Sequence, residues 1–180
     1  MLFILLLILM FLALVAQYFV GVFPGMGGHI LLMPVIFFYA AAALPLWGML
    51  SCALVAGFMW DCMTVIPVHG RTEVAFGTSI LIYGGLGAVM NGMHPLFVRG
   101  RWQPHCLLTG LLTSALVLVE FVMVTFRREP FSFMWPREVW SIILSSGIAA
   151  AMISPGVFIG LNAIARRLGH FERERQVAAE

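Results

Sequence analysis

Two carboxylates stand where water should be scarce. Asp61 closes the apolar stretch Gly57-Phe-Met-Trp-Asp61, and Glu120 lies within Leu116-Val-Leu-Val-Glu120. Upstream of Asp61, sixty residues hold no acidic or basic side chain except His29. Carboxylates in such surroundings serve transport or proton transfer, act as acid and base, or pair with cations and fasten helices. A charge at membrane depth costs about 2.5–3.5 kcal/mol even on the mild insertion scale. An ionised Asp61 therefore needs an arginine or several hydrogen-bond donors. Arg71 follows it across Gly70, which permits a tight turn, while Arg127 and Arg128 follow Glu120. The expected arrangement pairs Asp61 or Glu120 with Arg71 or Arg127. The competing reading leaves both carboxylates at the interface, in contact with water and headgroups.

Nothing near these acids completes a catalytic set. The histidines, at 29, 69, 94, 105 and 170, are dispersed and fall mostly in expected loops, which makes them interface residues. Cys52, Cys62 and Cys106 show no metal-ligand spacing and read as small apolar packers. The chain has neither a glycine-rich phosphate loop nor a nucleophile elbow. No enzyme activity, metal or cofactor is expected.

The elements that position these residues are set by composition. The chain has 180 residues, 62% hydrophobic and 10% charged, with a mean hydropathy of +1.01. Soluble domains carry about 25% charged residues. One small core cannot hide so much apolar surface, so the expected solvent is lipid. Backbone groups in lipid must be satisfied internally, which favours helices. The expected fold is an all-α polytopic transmembrane helix bundle of about six spans. Apolar windows place them at Met1–Val22, His29–Leu44, Leu46–Met63, Val74–Met93, Cys106–Phe126 and Val139–Leu161. Breaks fall at Pro24 to Gly28, Pro45, Pro67 to Gly70, Pro95 to Pro104 and Pro130 to Pro136. Residues 1–168 form one transmembrane helical domain, and 169–180 a short charged cytoplasmic tail. The first apolar run lacks a basic leader and an Ala-x-Ala site before Gln17, so it reads as a retained span.

All ten basic residues are arginine and the net charge is +2, too little for a nucleic-acid footprint. With both ends cytoplasmic, six arginines lie inside and four outside, a slight positive-inside bias. That topology brings Asp61 and Glu120 toward the same membrane face. Small residues form stripes that let helices approach closely. Ala53, Gly57 and Asp61 share one face of the third span. Gly77, Gly84, Ala88 and Gly92 line the fourth, and Ser145, Ala149, Gly156 and Gly160 the sixth. Thr109, Thr113 and Glu120 draw a polar line along the fifth. Such faces pack within the chain or receive another protein's helix.

A further pattern joins these features. It comprises the Leu44-Pro45 break, the span ending Gly57-Phe-Met-Trp-Asp61, Gly70, and the fourth span bearing Tyr83. It continues through Glu120-Phe121, Pro130, and a sixth span entering an arginine-rich tail. Over residues 29–168 the chain resembles the bacterial rod shape-determining protein MreD family. The resemblance implies a multi-pass protein of the bacterial inner membrane without enzymatic activity. It would act as a scaffold of the cell-elongation machinery (the elongasome), beside MreC and near RodA with its penicillin-binding partner. MreB filaments would be engaged indirectly, in support of rod shape and lateral-wall peptidoglycan synthesis. Asp61, Glu120, Arg71, Arg127, Gly57 and Gly70 would then shape the rim that meets a partner. The family's fold is similar to the substrate-binding components of energy-coupling transporters. The rival function is therefore a substrate-binding subunit of a vitamin-type transporter. Ala13 and Ala16 are three apart, which departs from the Ala-x-x-x-Ala docking motif of such transporters.

Overall fold

The computed structural model describes residues 2–20, 30–63, 66–68, 71–73, 77–93, 102–128 and 137–167. Six helices account for most of them: α1 (Leu2–Val20), α2 (Leu32–Ala43), α3 (Leu46–Met63), α4 (Thr78–Gly92), α5 (Trp102–Arg128) and α6 (Arg137–Arg167). The all-α bundle expected from composition is the observed fold. One small addition lies between α3 and α4, a hairpin of β1 (Ile66–Val68) and β2 (Arg71–Glu73). Its antiparallel register sets Ile66 against Glu73 and Val68 against Arg71.

The helices differ from the expected spans chiefly in length. Three are long and apolar enough to cross a membrane: Leu46–Met63, Gln103–Phe126 and Glu138–Ala165. The second expected span shrinks to the 12 residues of α2, which rise only about 18 Å at 1.5 Å per residue. Pro34 falls in its first turn, where the missing N–H costs nothing. At the other end, Pro45 follows the last turn and Leu44 takes extended backbone angles. The fourth element is likewise short, at 15 residues.

The short α2 is the hub of the bundle. It touches α1, α3, α4, α5 and α6, and nine of its twelve residues are buried. A helix apolar on every side belongs inside a larger assembly of helices. Phe37 stacks edge-on against Phe38 and Tyr83, with centroids 5.5 and 5.0 Å apart. Leu6, Met10 and Leu14 of α1, Met49 of α3, Met90 of α4 and Leu116 of α5 complete the same core. The last carbonyls of α2 have no helical partner. Asn91 of α4 supplies one: its Nδ2 donates to the Ala41 and Leu44 carbonyl oxygens at 2.7 and 2.9 Å.

Two antiparallel pairs surround the hub, α3 with α4 and α5 with α6. Both close on glycine. A Cβ on Gly57 would fall on the Ile80 backbone and lie 2.8 Å from Ile80 Cγ1. A Cβ on Gly147 would strike Ser114 Oγ and lie 2.8 Å from the Gly110 carbonyl oxygen. The Ala53–Gly57–Asp61 face is thus buried within the chain against α4. The other two stripes differ: Ser145 and Ala149 are buried, but the glycines are open. Nothing lies within 4 Å of a Cβ built on Gly84, Gly92, Gly156 or Gly160. Helix α4 instead turns Ser79, Tyr83, Gly87 and Met90 inward, and the close contact of α6 is made at Gly147.

Candidate functional site

Asp61 stands in the last turn of α3, where the negative end of the helix dipole disfavours a carboxylate. Its surroundings reverse that disadvantage. The antiparallel approach at Gly57 brings the start of α4 beside the end of α3. Asp61 Oδ2 accepts the Gly77 backbone N–H at 2.7 Å. Gly77 is the residue that caps α4, with φ +92°, a left-handed conformation that costs glycine little. Asp61 is thereby buried, 4% exposed, at the positive end of another helix, a natural place for an anion.

Glu120 joins the same place from α5. It lies beside Trp60 and within electrostatic reach of Asp61. Tyr83 of α4 completes the group. Its ring meets that of Trp60 at 6.4 Å, and its hydroxyl feels both carboxylates. The Tyr83 side chain is fully buried, and its hydroxyl oxygen has no hydrogen-bond partner. Asp61, Trp60 and Tyr83 therefore gather where α3 meets α4, with Glu120 of α5 within electrostatic reach.

The expected partners were arginines; among the described residues, the partner seen for Asp61 is the Gly77 backbone amide. The side chains of Arg71 and Arg127 and the whole of Gly70 lie outside the described residues. The Arg71 backbone pairs with Val68 in the hairpin, and Arg127 belongs to the last turn of α5. Gly57 serves the α3–α4 contact, one step below the carboxylate it helps to place. Trp60 and Tyr83 receive no chemical role in the sequence analysis. Their sequence signal is position alone, Trp60 next to Asp61 and Tyr83 six residues beyond the Gly77 cap.

A second polar group occupies the α5–α6 seam. His105, expected in a loop at the interface, is 1% exposed near the start of α5. Its Nδ1 lies 3.3 Å from Ser154 Oγ and 3.4 Å from Thr109 Oγ1. The His105 ring packs on Phe158 at 4.8 Å and meets Tyr39 at 6.2 Å. Further along the seam, Thr113 Oγ1 donates to the Thr109 carbonyl and Ser114 Oγ to the Ile143 carbonyl, at 2.8 and 3.2 Å. The Thr109–Thr113 line therefore faces the bundle interior. Cys52 and Cys106 are buried and Cys62 is exposed, all three as free thiols. Among the described residues, no three His, Cys, Asp or Glu side chains gather as a metal group would require.

The fold and these groups define a membrane-associated helical protein whose polar side chains meet at helix junctions. No protein-family model matches the chain, and neither a curated protein nor a solved structure matches it.

Proposed function

We propose that this chain is a non-enzymatic, multi-pass scaffold of the bacterial inner membrane. It binds MreC and supports rod shape and lateral-wall peptidoglycan synthesis by the cell-elongation machinery. RodA, its penicillin-binding partner and, indirectly, MreB belong to the same assembly. The resemblance over residues 29–168 suggests this identity. The observation that carries the scaffold reading is the use made of buried and half-buried polar groups. Asp61 holds Gly77, Asn91 holds the end of α2, and His105 lies against Ser154. Each joins one helix to another, so the polar chemistry is spent on assembly. The outward faces of α3 and α5 stay apolar: Leu54, Leu107 and Leu111 are exposed, as helices that meet other helices in lipid would be.

Gly57 is occupied by α4, so partner contact is tested from the exposed positions. A photo-crosslinking residue is placed at Leu54 of α3 or Leu111 of α5, and the chain is co-expressed with MreC. Crosslinks to MreC from at least one of these faces, and none from buried Met49 or Leu116, are the expected result. Failure of MreC to crosslink or co-purify with the folded chain would reject the reading.

One observation favours a substrate-binding transport subunit instead. The buried Tyr39 hydroxyl beside His105 has no hydrogen-bond partner, as a polar group reserved for a ligand would be. Native mass spectrometry distinguishes the two, since a transport subunit would retain a small metabolite.

A further inference from the structure

We propose that the junction of α2, α5 and α6 holds one small uncharged oxygen group, hydrogen-bonded to the Tyr39 hydroxyl. That group is a water molecule or the hydroxyl of a bound metabolite. Such a site requires neither the scaffold nor the transport reading, since water would serve in both.

Four polar side chains meet there, all of them nearly fully buried. Tyr39 of α2 is 2% exposed, His105 of α5 1%, and Thr109 of α5 and Ser154 of α6 0%. The Tyr39 ring stands 6.2 Å from that of His105 and 5.9 Å from that of Phe158 on α6. The His105 and Phe158 rings are 4.8 Å apart. Buried polar atoms are nearly always paired, yet the Tyr39 hydroxyl oxygen has no hydrogen-bond partner among the described residues.

The two aliphatic hydroxyls of the junction are loosely held. Ser154 Oγ and Thr109 Oγ1 lie 3.3 and 3.4 Å from one and the same nitrogen, His105 Nδ1. Both distances exceed the usual span of about 2.7–3.2 Å between nitrogen and oxygen. A ring nitrogen donates once or accepts once, so it fully serves at most one of them. Capacity for a further hydrogen bond therefore remains on the α5–α6 side as well as on Tyr39.

The rings limit what can occupy the site. Aromatic rings with centroids about 4.5–7 Å apart are in contact, so no flat or bulky group lies between them. The occupant reaches Tyr39 at its hydroxyl end, as a single oxygen. A charged group would lose its hydration among these rings. A neutral oxygen with a proton both donates and accepts, as phenol, serine and threonine do. Internal waters, about one per 27 residues, bridge buried polar groups of this kind.

The experiment compares the full-length chain, purified in detergent, with Tyr39→Phe, which removes the hydroxyl and keeps the ring. Loss of a hydrogen bond should lower the unfolding temperature by about 2–4 °C in a chain of this length. Removal of an unpaired hydroxyl would leave it unchanged or raise it, and that result would overturn the proposal. Two further measurements identify the oxygen. A metabolite mass on the wild-type chain in native mass spectrometry, absent from Tyr39→Phe, assigns it to a ligand and favours the transport reading. An unadorned mass, together with solid-state NMR transfer from water to the Tyr39 side chain in lipid, assigns it to water and leaves the scaffold reading standing. With neither a retained mass nor water transfer at Tyr39, the site is rejected.

Discussion

Among the described residues Asp61 makes one short hydrogen bond, and the kind of atom offered to Gly77 decides what a substitution does. Asp61→Asn keeps an oxygen within reach of the N–H and surrenders the charge. Asp61→Leu keeps the approximate size and leaves the buried N–H of Gly77 without its acceptor. An unsatisfied buried donor costs about 1–3 kcal/mol, so Asp61→Leu is expected to be the more destabilising, read as a lower unfolding temperature in detergent. An Asn variant that loses as much as Leu would show that charge, not acceptance, fastens α3 to α4. Asn91 makes the parallel case at the other end of α4. Its amide closes two carbonyls of α2, and Asn91→Leu should cost a similar amount because both acceptors are stranded. Asp61 was conspicuous in the sequence, being the first acidic residue after sixty others. Its partner was not legible, because a backbone N–H leaves no trace in residue type. Asn91 and His105 were missed for a related reason: both stand near chain breaks, where a polar residue looks like a loop residue.

Helix pairs in this chain are joined at glycines, yet glycine content alone did not reveal which. The stripe through Gly57 was legible because Ala53, Gly57 and Asp61 repeat every four residues and all three are buried against α4. On α4 the glycines of the stripe meet open space, and on α6 the stripe is buried at Ser145 and Ala149 but open at Gly156 and Gly160. Spacing marks a face, whereas the neighbour that covers it depends on the helix pairing, which periodicity does not encode. This difference predicts opposite outcomes for like substitutions. Gly57→Ala places a methyl on the Ile80 backbone, and Gly147→Ala drives one onto Ser114 Oγ and toward the Gly110 carbonyl. Backbone cannot move aside as a side chain can, so overpacking of about 1–3 kcal/mol is expected for each. Gly84→Ala and Gly156→Ala meet open space within helices. They should be neutral or stabilising by up to about 1 kcal/mol, since alanine is the better helix former. Thermal unfolding of the four variants in one detergent checks the pattern. A loss at Gly84 as large as that at Gly57 would mean that the open face of α4 is covered in the folded protein.

Among the described residues, the helices bury Asp61, His105, Thr109, Thr113 and several serines and show many large apolar side chains to the outside. Trp47, Phe19, Leu81 and Leu107 are each more than 70% exposed, and many smaller apolar residues share that surface. On a water-soluble monomer, contiguous apolar patches of this kind are rare and cause aggregation. In lipid they are the ordinary surface. Composition made this inversion readable before any contact was known, whereas the burial of α2 was not readable, since its residues are no more apolar than those of α1. The two solvents demand opposite responses to a charge. Leu111 lies near the middle of the long apolar part of α5 and faces outward, so Leu111→Arg touches little inside the bundle. With water outside, it would break an apolar patch and raise soluble yield. With hydrocarbon outside, an arginine near the helix centre costs about 2.5–3.5 kcal/mol. The expected outcome is a fall in the membrane-extracted yield of Leu111→Arg relative to Leu111→Ala, with no gain in the soluble fraction. Fractionated cells probed for a terminal tag provide the measurement, and a soluble, folded Leu111→Arg protein would contradict the lipid-facing assignment of α5.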